Sequence, residues 1–230
     1  MVIAHVGACH VLVLHAGDAL PDFLALHTRD VTQHARLTEV LLGEVVGGQR
    51  CGVVGGQSDQ GMEDACLGQE APPGRELVSP HLRTNAGWRA ARPNNHYYKV
   101  LPAAGVNASI ADMKRWIEAL LGLTPLLSRE LLEQIGAKRV AYKAHQGHYP
   151  RSAPLSETGY AMGFRTFAYR QVPGFLHHGG YIRGMRSEMI LHPSTGMGFA
   201  FLTNSEPDRL NRLSLAFADW VVEQALIRAD

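Results

Sequence analysis

The chain has 230 residues, with 22 basic and 21 acidic side chains for a net charge of +1, and 46% of it is apolar. A disordered tail would carry fewer apolar residues and more net charge, and a nucleic-acid binder would show a basic excess or stripe, so both classes are excluded. The longest apolar stretch, Val2 to Gly17, is interrupted by His5, His10 and His15 and lacks a basic start, so it predicts neither a membrane span nor a recognisable signal peptide.

Residue types are unevenly distributed. Residues 1–77 contain all three cysteines (Cys9, Cys51 and Cys66), five of the twelve histidines, no lysine, and a single aromatic, Phe23. Aromatic side chains bury the most area per residue, so this segment is poorly equipped to form a core alone. The composition breaks near Ala71-Pro72-Pro73-Gly74, which reads as a linker. Two regions follow: an atypical N-terminal segment, 1–77, expected to be poorly ordered or of origin unrelated to the rest, and a regular region, 78–230. Within the first, Val11 to Leu14 suits a short strand and Arg36 to Val46 a helix. The pentapeptide Val45 to Gln49 recurs as Val53 to Gln57, and its glycines predict a loop. An odd cysteine count without framework spacing argues against a disulfide scaffold. His5, Cys9, His10, His15, Cys51 and Cys66 fit no zinc template, so neither metal nor cofactor is expected.

Beyond the linker the patterns sharpen. Ser109 with Asp112 three residues on makes a capping box for a helix whose Ile110, Met113, Trp116, Ile117, Leu120 and Leu121 share one face, closed by Gly122. Ser128 opens a shorter helix ending at Gly136. Then the period changes to two: Gly163 to Tyr169, Arg186 to His192 and Met197 to Thr203 read as antiparallel strands, with Met197, Phe199 and Phe201 on one face. A helix from about Asp208 carries Leu210, Leu213, Phe217, Trp220, Val221 and Leu226 to cover the sheet. Helices before and after an antiparallel sheet of about three strands predict an α+β fold.

One segment stands out for chemistry: Phe175-Leu176-His177-His178-Gly179-Gly180-Tyr181. A basic side chain followed by two glycines in a strand lets a substrate lie along the backbone, though a bulge beside a buried histidine explains the same residues. This segment, with Tyr97 to Ser109 leading into the first helix, Tyr160 to Phe164, and Phe199 to Asn204, resembles the C-terminal half of the serine β-lactamase and penicillin-binding-protein-like family, closest to its class C branch. The resemblance covers residues 78–230 and implies a β-lactamase/transpeptidase-like fold lacking its N-terminal part. It also implies that His178-Gly179-Gly180 is the family's third active-site motif, that His178 faces the substrate, and that the backbone N–H of Tyr181 supplies half of an oxyanion hole. Gly179 and Asn204 would contact substrate, although Asn204 equally suits a strand-end turn. His177 falls on the opposite strand face, packed or solvated, and Arg183 and Arg186 read as solvated charge.

Two of the family's motifs are missing. No serine has lysine three residues on, and no tyrosine has asparagine two residues on, so neither Ser-x-x-Lys nor Tyr-x-Asn is present. The expectation is an incomplete, catalytically impaired hydrolase acting on a β-lactam, peptide or ester. Its alternative is a non-catalytic binding module that keeps the His-Gly-Gly strand. Relatives are often exported, yet no export signal is legible, and no nucleic-acid or membrane partner is expected. Without the family's N-terminal strands, Met197 to Thr203 would be a sheet edge; leaving roughly 300 Å² of its apolar face in water would cost on the order of 7 kcal/mol and favour self-association.

Overall fold

The computed structural model describes residues 2–6, 9–14, 62, 64–68, 74, 77–92, 106–142, 148–206 and 211–227. The helix expected at Arg36 to Val46 and the repeated glycine pentapeptides lie outside them, as do Tyr97 to Gly105.

Two strands start the chain, β1 (Val2–Val6) and β2 (Cys9–Leu14), followed by the short β3 (Cys66–Leu67), β4 (His81–Thr84), β5 (Gly87–Ala90) and β6 (Val106–Asn107). Helices α1 (Ile110–Leu120) and α2 (Arg129–Gly136) come next. Strands β7 (Val140–Ala141), β8 (Leu155–Tyr160), β9 (Arg165–Tyr169), β10 (Val172–Ile182), β11 (Met185–His192) and β12 (Met197–Thr203) precede the last helix, α3 (Asn211–Ile227). Among the described residues the main sheet has eight antiparallel strands in the order β1-β2-β12-β11-β10-β9-β8-β7. The architecture is α+β as expected, but the count of about three strands is corrected to eight. The two-residue edge strand β7 and the mostly polar β8 give little periodic signal and acquire their conformation by pairing.

Both predicted helix starts are present. The Ser109 hydroxyl accepts from Asp112 N–H while the Asp112 carboxylate accepts from Ser109 N–H, so two otherwise orphaned donors are satisfied. Ser128 caps α2 through Leu131 N–H. Gly122 follows α1 in the left-handed region (φ 71°), the conformation that ends a helix at no steric cost to glycine.

The sheet is covered on both sides. On one, Phe175, Ile190, Phe199 and Phe201 pack under Phe217, Trp220 and Val221 of α3, with Phe199 and Phe217 stacked at 5.6 Å. On the other, Leu176, Met189, Leu191, Ala200 and Leu202 pack against Met113, Trp116, Ile117 and Leu120 of α1. Burial on two faces explains why β12 reads as a nearly continuous apolar run. Helix α1 approaches closely at Gly198, where a Cβ would lie 2.5 Å from Ile117 Cγ2.

Strand β12 is not an edge. Strand β2 pairs with it from Gly198↔Leu14 to Leu202↔His10, and β1 pairs with β2 in turn. Phe199 and Phe201 are therefore fully buried, and the sheet ends at β1 and β7. In the first hairpin His5 stands opposite His10, while Cys66 is buried in β3, beside β6; His15 and Cys51 lie outside the described residues. Among the described residues, no helix is long and apolar enough to cross a membrane.

Candidate active site

The long strand β10 positions the His-Gly-Gly segment, and its pleat sorts the residues. His178 and Gly180 face α1; His177, Gly179 and Tyr181 face the α3 side. Half-buried His178 sets its Nδ1 2.6 Å from the carbonyl oxygen of Gly163 and its ring edge-on to Phe164. A carbonyl only accepts, so Nδ1 carries the proton and the neutral ring keeps an accepting lone pair on Nε2. Gly163 itself lies at φ 78° in the turn before β9, which aims its carbonyl at His178.

Pairing along β10 is asymmetric. On the β11 side it runs from Leu176↔Leu191 to Ile182↔Met185, whereas on the β9 side it stops at His177↔Arg165. Among the described residues, the backbone from His178 to Ile182 thus has a strand partner on one side alone. Such an open run of N–H and C=O groups is what an extended ligand uses to add itself to a sheet.

The remaining expected residues are dispersed. Gly179 makes room for an acid: a Cβ there would lie 2.8 Å from Glu188 Oε2. Tyr181 is 58% exposed, and its hydroxyl donates to Glu206 Oε2 at 3.2 Å. Asn204 is fully buried at the end of β12, where its amide nitrogen donates to Ser79 O at 3.0 Å and lies 3.0 Å from His81 Nδ1, which itself sits 3.1 Å from Ser79 O. His81 N–H donates in turn to Asn204 O and Gly184 O. Asn204 therefore fastens the Ser79–His81 segment to the end of the sheet, and its side chain is on a different group from His178.

His177 occupies the opposite face from His178 and is completely buried. Its Nε2–H donates to Glu188 Oε2 at 2.7 Å, and in the neutral ring the Tyr149 hydroxyl donates to Nδ1 at 2.5 Å. Burial pushes the Tyr149 phenol well above its ordinary range, which keeps it a donor. Burial alone would raise Glu188, but the His177 hydrogen bond and the nearby Arg186 guanidinium hold it below the usual carboxylate value. Arg186 is not a solvated charge: its Nη2 lies 3.2 Å from Glu188 Oε1 and its guanidinium stands 5.3 Å from the Tyr181 ring centre. His148 completes the group, its ring 5.1 Å from that of His177 and held neutral, with a pKa lowered to about 4, chiefly by burial. One donor atom from each of His148, His177 and Glu188 lies within 4.8 Å of the others. Sequence reasoning missed this cluster, although Glu188, an acid directly before the apolar Met189-Ile190-Leu191 in a predicted strand, was a signal that some partner must meet it.

The beta-lactamase family model matches residues 58–222, starting upstream of the composition break. Similar solved structures include the octameric penicillin-binding protein homologue from Pyrococcus abyssi, at 14% identity and TM-score 0.57, over 71% of this chain and 35% of that one. The penicillin binding protein from Bacillus halodurans matches at 14% identity and TM-score 0.50, over 70% of this chain and 45% of that one. The beta-lactamase from Sulfitobacter sp. EE-36 matches at 15% identity and TM-score 0.50, over 71% and 51% respectively. At these identities the likeness is one of fold, and the chain spans between about a third and a half of the length of these structures. No curated protein sequence matches the chain. With a sheet flanked by α1 and α3, a His-Gly-Gly strand on its α1 face, and a family match over residues 58–222, the chain belongs to the beta-lactamase family.

Proposed function

We propose that this chain is the substrate-strand half of a serine-hydrolase-like acyl-transfer fold and that, as it stands, it does not turn over amides or esters. The observation that carries this reading is the absence, in a beta-lactamase-family chain, of any serine followed by lysine three residues on. In such a unit a helical turn sets the lysine beside the hydroxyl it activates, and removing the nucleophile of a group that acts together costs orders of magnitude in rate. His178 cannot replace it, since a half-buried imidazole tied to Gly163 is placed to accept or share a proton, not to hold an acyl group beside a second base.

A second reading, binding without turnover, is favoured by the one-sided pairing of β10. In this reading the His178 to Ile182 backbone pairs with an extended β-lactam, peptide or ester, His178 Nε2 accepts a hydrogen bond or meets its carboxylate, and the N–H of Tyr181 points at its carbonyl. Gly179 and Gly180 keep the strand free of side chains that would hold the ligand away. Asn204 supports the site by anchoring the neighbouring segment. A chromogenic β-lactam assay, a p-nitrophenyl ester assay and gel labelling with a fluorescent penicillin test both readings. Turnover or covalent labelling of the chain sinks the impaired-hydrolase reading; reversible binding without labelling supports the binding module.

A further inference from the structure

The cluster on the α3 side of the sheet has no part in the acyl-transfer reading, because the strand pleat turns it away from His178. His177 and Glu188 sit on adjacent strands, β10 and β11, and are completely buried. His148 reaches them from the chain segment before β8 and is half-buried, so one side of the cluster communicates with solvent. Two imidazoles and one carboxylate are the donor set of open zinc sites, which hold the ion with three protein ligands and leave one position for water.

We propose that His148, His177 and Glu188 bind a divalent zinc ion. A tetrahedral ion with ligands at about 2.0–2.1 Å sets its donor atoms about 3.4 Å apart. The 2.7 Å between His177 Nε2 and Glu188 Oε2 and the 4.8 Å span of the whole group bracket that figure, so the larger adjustment falls on the half-buried His148 ring.

Neighbouring groups suit the exchange. In the metal-free chain Nε2–H of His177 donates to Glu188 and the Tyr149 hydroxyl donates to Nδ1. When the ion takes the place of that proton between Nε2 and Oε2, the neutral imidazole carries its proton on Nδ1. The Tyr149 oxygen then accepts from it, the outer hydrogen bond that orients a ligating histidine. No proton is gained or lost by the ring. Arg186 holds the other Glu188 oxygen, so the carboxylate stays fixed while its charge is shared. That shared charge weakens attraction for a cation, and it assigns the site micromolar rather than structural, subnanomolar zinc affinity. Bound zinc would clip the His148-Tyr149 segment onto the sheet.

The test is zinc titration of the full chain by calorimetry, with metal content after dialysis, against His148→Ala. Cobalt substitution reports the ligands by visible absorption, and Glu188→Gln, checked for folding by circular dichroism, is the second variant. The expected result is one zinc bound with micromolar affinity, weakened about tenfold or more in His148→Ala and in folded Glu188→Gln. A zinc-induced rise in thermal midpoint should vanish in His148→Ala. The proposal is overturned if the wild-type chain binds no zinc. It is equally overturned if His148→Ala binds with unchanged affinity, or if cobalt–thiolate bands place the ion on the cysteines of the N-terminal segment. Absence of β-lactam binding would not bear on it, since His178 lies on the other face.

Discussion

His177 and Glu188, eleven residues apart in the chain, meet inside the sheet with Nε2 2.7 Å from Oε2 and neither side chain exposed. The β10–β11 hairpin brings them together: Gly179 stands directly opposite Glu188, and the carboxylate fills the space that a side chain at Gly179 would take. Buried ionisable groups persist where each finds partners, and here Tyr149, His177, Glu188 and Arg186 form one connected chain.

Glu188→Ala removes the shared acceptor and leaves His177 and Arg186 without it. Breaking a buried pair by deleting one partner costs about 3–5 kcal/mol. Urea unfolding should show that loss, and a change under 1 kcal/mol would mean that water replaces the carboxylate.

Gly179→Ala puts a methyl group 2.8 Å from Glu188 Oε2, an atom fixed by His177. Overpacking of this kind costs about 1–3 kcal/mol. The two substitutions should be coupled: in a Glu188→Ala background the alanine at 179 has room, so its cost should fall toward zero. Additive effects in a double-mutant cycle would contradict the packing described.

Acid should destabilise the metal-free protein. The His148 ring binds a proton near 6.5 when unfolded and only near 4 when folded. Protonation therefore favours the unfolded chain, and the His148 contribution is complete above pH 6.5 and lost as pH falls to 4. Allowing for the solvent around a partly exposed ring, the loss is about 2–3 kcal/mol. Glu188, whose folded pKa is depressed, adds to it: its contribution is present above the ordinary carboxylate value and disappears as pH drops through the lowered one. Thermal midpoints measured in chelator from pH 7 to 4 should fall; a flat profile would refute the burial argument.

His178→Ala should separate binding from folding. It removes one hydrogen bond to Gly163, worth about 1 kcal/mol, and leaves the sheet intact. Affinity for a β-lactam or ester ligand should drop at least tenfold, measured by calorimetry, with little change in thermal midpoint.

Deleting residues 1–14 uncovers β12 along the positions now paired with β2. A bare strand in mid-sheet templates pairing with another chain. Size-exclusion chromatography should show dimers or larger species where the full chain runs smaller, and an unchanged elution volume would mean that β12 needs no such cover.

Local chemistry was legible in the sequence because it depends on neighbours along the chain. Ser109 and Asp112 had to cap a helix, Gly122 had to end it, and the apolar run from Met197 to Thr203 had to be a buried strand. The alternation of β10 likewise separated His178 from His177 without coordinates. Pairing between distant segments was not legible. That β2 covers β12, that Arg186 is held by a buried acid, and that Asn204 fastens Ser79 and His81 depend on which strands lie side by side and in which register. Hydrophobic periodicity is blind to that choice, since it records which face of a segment is buried and not against what. The sequence by itself determined the family and the absence of a Ser-x-x-Lys pattern from these 230 residues. Only the tertiary structure decided that the first of the two adjacent histidines in β10 lies in a buried cluster with Tyr149, Glu188 and His148, because three separate segments of chain must fold together before those side chains meet.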